Sequence, residues 1–369
     1  MTGSNCLDSQ AVLSGQMGLI SDVAVSKCKS YEQTESTHQC LTLTNPFQSA
    51  ARAFDVTDNQ FVLSPIAYFP LVIKVGTSPT RAASINDRTF VLDPAQKAIF
   101  EIKEQLESPK DPIKSLDFTP DQWALVLDSA NKIWALVVEN SASVDIKVHA
   151  LALDSDSKFS TTLENVKNID FVTTNLNQTS LLITQSKNLY VLAVSDLISK
   201  SDSLASTPNN TFDDAVQAIA ASDKEAWLSL SDKTLKRYDW NSKQILASVN
   251  LEALGAQIYL PESLAGTPNT CCGGKANWLA VLLTNGKLQY WPYDSKSIGP
   301  EPENVSIQSG TGIESLALTQ PIKLLGANAE GHGNDGLDCD RRLFLVYTGS
   351  LFVTCEGSQN IRYLDRLNP

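Results

Sequence analysis

The stretch that decides the fold is Trp123-Ala124-Leu125-Val126-Leu127, broken at Asp128-Ser129-Ala130-Asn131 and resumed as Ile133-Trp134-Ala135-Leu136-Val137-Val138. Each apolar run is too short for an ordinary helix, and the break is made of turn formers, so the pair reads as a β-hairpin. Leu116-Asp117-Phe118 reads as an inner strand before it, and Ile146–Leu153 as an outer strand after it. Together they make a four-stranded unit over 115–152. Outward from there the pattern recurs. Phe90-Val91-Leu92 breaks at Asp93-Pro94 before Ala98-Ile99-Phe100, and Leu181-Leu182-Ile183 at Ser186-Lys187-Asn188 before Leu189-Tyr190-Val191-Leu192. Trp227–Leu230, Trp278–Leu283 and Leu343–Tyr347 each open a further pair. The Asn285-Gly286 break is the strongest hairpin signal, because both residues tolerate positive φ.

These hairpins begin 34 residues apart at the closest (Thr89 to Trp123) and 65 at the widest (Trp278 to Leu343). A period of about 40–50 residues with about four strands per unit is the mark of a β-propeller. Runs that are apolar on both faces suit it, because each blade is sandwiched between two neighbours. The fold class expected is therefore all-β: a single propeller of seven blades of four-stranded antiparallel sheets, with six and eight left open. Two units, 79–110 and 165–200, have no obvious outer strand. The domain division expected is an N-terminal tether with a Cys28/Cys40 loop over 1–45, then the propeller over 46–369.

Charge narrows the function. With 29 Lys+Arg against 41 Asp+Glu the net charge is −12, which repels polyphosphate and disfavours nucleic acid as a partner. No apolar run approaches the roughly 20 residues needed to span a bilayer, so a membrane is expected as a partner only through a lipid anchor.

Two resemblances add to this. Phe61-Val62-Leu63, then Pro70-Leu71-Val72-Ile73-Lys74-Val75-Gly76-Thr77-Ser78-Pro79, then Thr89-Phe90-Val91-Leu92, resembles the YVTN type of propeller repeat. In that family Gly and Pro shape the turn from an outer strand into the next inner one, which the Val-Gly-Thr-Ser-Pro stretch matches. The resemblance is specific over about fifty residues and architectural elsewhere. Thr2-Gly3-Ser4-Asn5-Cys6 is similar to the start of a mature bacterial lipoprotein whose signal has been replaced by Met1. That resemblance implies a lipid on Cys6, a tether from Leu7 to Gln10, and an address in the periplasm or at the cell surface, on the outer membrane. An ordinary exposed cysteine is the plain alternative.

Setting Cys6 aside leaves six cysteines, enough for three disulfides. Cys28 and Cys40 bracket a polar stretch that burial would not order. Adjacent Cys271 and Cys272 bond each other only with strain, so Cys339 and Cys355 are their expected partners. The zinc reading fails for want of a C-x-x-C pair.

Asn328, Glu330, Asn334, Asp335, Asp338 and Asp340 place oxygen ligands at short intervals in a Gly-rich segment, the chemistry a calcium ion uses. A solvated acidic loop pinned by Cys339 is the plainer reading. No organic cofactor is expected, and no catalytic Ser/His/Asp set stands out: His38 falls in the Cys28/Cys40 loop, His149 on a strand with an expected solvated side chain, and His332 in a loop. Two functions fit. One is a non-catalytic exported scaffold binding an envelope protein or polymer. The other is a calcium-dependent propeller hydrolase or lactonase, with Asn86, Asp117, Asp170 and Glu314 as channel candidates.

Overall fold

Short polar turns set the strand lengths. At Asp128 one carboxylate oxygen accepts the N–H groups of Ala130 and Lys132, and the other accepts the Trp134 indole N–H at 3.0 Å. The indole donor holds that carboxyl below the usual carboxylate range. Asn131 completes the turn at φ 59°, and Asn86-Asp87 turns another hairpin with φ of 49° and 59°. Such left-handed backbone suits Asn and Asp better than most residues.

The computed structural model describes residues 21–29, 37–55, 71–103, 107–139, 145–166, 168–175, 177–200, 203–205, 207–259, 277–285, 288–293, 342–347, 350–355 and 361–364. Among them the chain is all-β, with helical backbone confined to a 3-10 turn at Pro46–Gln48 and one turn at Val194–Leu197. The first sheet is β1 (Asp22–Lys29), β2 (Thr37–Asn45), β3 (Ala50–Asp55) and β4 (Leu71–Lys74); the second is β5 (Arg81–Ile85), β6 (Arg88–Asp93), β7 (Ala98–Ile102) and β8 (Lys114–Ser115). The third is β9 (Pro120–Leu127), β10 (Ile133–Glu139), β11 (Ile146–Ala152) and β12 (Lys158–Glu164). The fourth starts with β13 (Phe171–Thr174), β14 (Ser180–Gln185) and β15 (Asn188–Ala193). The chain then lays β16 (Ser203–Ala205) parallel to β12 and returns as β17 (Asn210–Thr211), the fourth strand of that sheet. The fifth sheet is β18 (Val216–Ala221), β19 (Glu225–Leu230), β20 (Thr234–Asp239) and β21 (Gln244–Asn250). Two three-stranded sheets follow: β22 (Gly255–Tyr259), β23 (Asn277–Leu283) and β24 (Leu288–Tyr293), then β25 (Arg342–Tyr347), β26 (Ser350–Cys355) and β27 (Ile361–Leu364).

The sheets group into two compact units. One holds the first, second and seventh sheets; the other holds the third to sixth. In the second unit the sheets stack face to face. Leu181 and Ile183 of β14 pack with Val126, Leu136 and Val148 of the third sheet, whereas Leu182 between them packs with Val216 and Leu228 of the fifth. This is why the strands read apolar on both faces. In the first unit Ala51, Ala53 and Ile73 pack against Val91, Phe100 and Ile102. First strands adjoin across sheets. The Gln122 side chain of β9 donates to the Asp170 carbonyl at 2.6 Å and accepts the Val172 N–H of β13 at 3.0 Å.

Two sequence expectations change. Leu116-Asp117-Phe118 is not the first strand of its sheet; β9 is, and the Trp123–Val138 hairpin supplies strands one and two rather than two and three. Consecutive apolar runs look alike whether a turn joins them within a sheet or between sheets, so the pattern fixes the strands and not the phase. The boundary drawn at 45/46 also falls inside the first sheet, because β1 and β2 occupy part of 1–45. Residues 40–45 are buried on both faces, including Thr42, Thr44 and Asn45, and their polarity made them read as tether. The outer strands missing from units 79–110 and 165–200 are β8 and β17, each only two residues long.

Asp22 joins the first two sheets. One of its oxygens accepts the Ala82 N–H at 3.0 Å and the other the Val23 N–H at 2.9 Å. Burial nevertheless pushes its carboxyl up to about 6, against those donors and the Arg81 charge. A carboxyl raised in the fold contributes stability below its unfolded value of 3.8 and loses it as pH rises through about 6. The stability of the wild type relative to Asp22→Asn should therefore fall between pH 4 and 7, by up to about 3 kcal/mol. Urea midpoints of the two proteins measured across that range test this; a constant difference would refute it.

Candidate functional site

Strand register in the third sheet brings an acid, an imidazole and a hydroxyl together. Val137 of β10 lies opposite His149 of β11, and His149 opposite Ser160 of β12. Opposed residues share a face, and Glu139, two positions beyond Val137, shares it as well. His149 Nε2 is 2.9 Å from Glu139 Oε2, and Nδ1 is 2.8 Å from Ser160 Oγ. A carboxylate only accepts, so Nε2–H donates to Glu139 and Nδ1 accepts the Ser160 hydroxyl proton.

The ring is fixed from above. Phe118, in the segment before β9, stacks on it with centroids 3.8 Å apart and planes inclined by 12°. His149 is 6% exposed, which corrects the expectation of a solvated side chain. Strand alternation put it on the right face, but the cover comes from Phe118, which alternation cannot see. Burial pushes the imidazole pKa below its ordinary value, outweighing the Glu139 carboxylate that pulls it up. Beside the cluster Lys158 Nζ donates to both Asp117 oxygens, at 2.9 and 3.1 Å, and holds that carboxyl below the usual range. Chemically, the row is a chain of two hydrogen bonds running from a hydroxyl through an imidazole to a carboxylate.

The first sheet carries a different feature. Pro46-Phe47-Gln48 forms the turn between β2 and β3, and Phe47 is 79% exposed. The turn is held on several sides. Asn45 Oδ1 accepts the Gln48 N–H at 3.2 Å, Ser49 Oγ donates to the Thr77 carbonyl at 2.7 Å, and Lys74 Nζ donates to the Gln48 carbonyl at 3.2 Å. A large aromatic is thus presented to solvent on fixed backbone. The sequence signal was Asn-Pro at 45–46 followed by an apolar residue, a turn with nothing to bury it.

Of the residues singled out in the sequence, Cys28 and Cys40 form a disulfide across β1 and β2 with Cα atoms 5.8 Å apart. Cys6, Cys271, Cys272, Cys339, His332, Glu314 and the calcium candidates Asn328, Glu330, Asn334, Asp335, Asp338 and Asp340 lie outside the described residues. Cys355 ends β26. The three channel candidates among the described residues make local contacts. Asn86 turns a hairpin, Asp117 pairs with Lys158, and Asp170 accepts the Ser186 N–H.

The sequence matches no protein-family model and no curated protein. Solved structures are similar in fold. BBS1N, a propeller-containing protein solved in complex with ARL6DN, is 11% identical with a TM-score of 0.52 over 91% of this chain and 88% of its own. The computationally designed Ika8 protein is also 11% identical, with a TM-score of 0.48 over 76% of this chain and 73% of its own. The likeness to BBS1N shows a propeller-like all-β fold.

Proposed function

We propose that this chain is an exported propeller of seven blades, a scaffold that binds an envelope protein or polymer. The observation that carries the reading is Phe47, 79% exposed on a turn hydrogen-bonded to its surroundings. Exposed aromatics held in one conformation lose little freedom on binding and are the usual anchors of interfaces. The seven sheets among the described residues support the blade number. The Cys28–Cys40 disulfide supports an oxidising compartment, the periplasm or cell surface. BBS1N, similar in fold, is seen with a protein partner. Lipid on Cys6 is the proposed anchor.

A photoreactive residue at position 47 in the native envelope should give one discrete protein adduct, and the same residue at Ile245, an exposed position of the other unit, should give none. The purified partner should bind wild type about tenfold or more tightly than Phe47→Ser, as expected for the loss of an anchor side chain. In the same cells Cys6→Ala should move the protein from the membrane to the soluble fraction. Equal binding by Phe47→Ser sinks the anchor, and a membrane-bound Cys6→Ala sinks the lipid.

A further inference from the structure

The row Ser160–His149–Glu139 is more elaborate than the filling of a sheet face requires. The sheet's other face is apolar, with Leu136, Val138, Val148 and Ala150 all buried. On the face that carries the row three consecutive strands each contribute one polar group, and the two hydrogen bonds run in series. The centre of the row is the most buried part: the His149 side chain is 8% exposed, and both ends, Glu139 at 22% and Ser160, are partly open to solvent. A partly exposed hydroxyl hydrogen-bonded to an oriented, unprotonated imidazole is the arrangement that activates serine nucleophiles.

We propose that Ser160 is a nucleophile for acyl transfer, with His149 as its general base and Glu139 as the residue that orients the ring; the substrate class is a small carboxylic ester. In the first step Ser160 Oγ bonds to the acyl carbon and its proton passes to His149 Nδ1. The ester C–O bond breaks, and the leaving alcohol takes that proton. Water then adds to the acyl-serine, again giving a proton to Nδ1. The Oγ–acyl bond breaks, Ser160 recovers its proton, and a carboxylic acid departs. Glu139 accepts from Nε2–H throughout, holding the tautomer that leaves Nδ1 free of a proton. Phe118 keeps the ring in the plane shared by both partners.

The full chain incubated with p-nitrophenyl acetate, and separately with a fluorophosphonate, tests the proposal by peptide mapping and by nitrophenolate release. Both reagents should modify Ser160. Acylation should fall by about a hundredfold or more in His149→Gln, the usual worth of a general base, and to the background of bulk hydroxyls in Ser160→Ala. The rate should rise with pH and level off below the ordinary histidine range, because the base is depressed. If His149→Gln fails to fold, the pH profile of the wild type still decides. A purely structural network predicts no modification of Ser160 above other serines and no such plateau; either result on folded protein overturns the proposal.

Discussion

Asp93→Ala is expected to cost about 4 kcal/mol, because one fully buried carboxylate organises an entire inter-sheet turn. Asp93 ends β6 and is 0% exposed. One of its oxygens accepts the Thr77 N–H at 2.5 Å, the Ser78 N–H at 2.8 Å and the Thr77 hydroxyl at 3.3 Å; the other accepts the Gln96 N–H at 2.9 Å. Removing it leaves several donors without a partner. Gly76 is shaped around the same oxygen: its φ is +60°, and a Cβ there would stand 2.1 Å from Asp93 Oδ2. Gly76→Ala should therefore be comparably costly in the wild type. In an Asp93→Ala background it should cost only the left-handed backbone penalty, about 1–2 kcal/mol. Urea denaturation of the four proteins reads the coupling. Additive losses would mean that the turn and the carboxylate act independently.

The second large effect concerns the Cys28–Cys40 disulfide. Its reduction, or the double variant Cys28→Ala/Cys40→Ala, should lower stability by about 3 kcal/mol, since the bond closes a short loop in the unfolded chain. Both residues are 2% exposed, so reduction should be slow in the folded protein and fast once urea is added. If midpoints with and without reductant coincide, the bond is absent or contributes nothing. Thiol titration of the denatured, unreduced chain tests the wider pairing: three disulfides leave only Cys6 to react.

These two latches show what the sequence could and could not reveal. Val75-Gly76-Thr77-Ser78-Pro79 was legible as a turn between an outer strand and the next inner strand, and β4 and β5 flank it in that order. Its anchor was not, because Asp93 lies fifteen or more residues away and looks like any turn aspartate beside a proline. Hairpins were legible wherever Asp or Asn breaks two apolar runs. β1 and β2 were not, since Leu41 and Leu43 are the only large apolar residues of β2 and the face between them is threonine, buried all the same. Strand phase was hidden for a related reason: β8 and β17 are too short to leave a pattern. The candidate site was the least legible part. Glu139, His149 and Ser160 are ordinary residues ten or more positions apart, and only the cross-strand register aligns them. Phe47 could be seen as a turn residue, but its exposure depends on how neighbouring strands hold the turn.

The excursion that lays β16 on β12 has a consequence for local opening. Thr162 pairs with Ser203 across the three intervening strands β13, β14 and β15, and only afterwards does the chain supply β17 to the sheet it had left. The strap thus ties the last strand of the fourth sheet to the rim of the third. Stitching of this kind makes neighbours complete one another, so local opening of either should expose both. Backbone amides of β12 and β15 should therefore exchange with solvent at a common rate, as a single cooperative foldon.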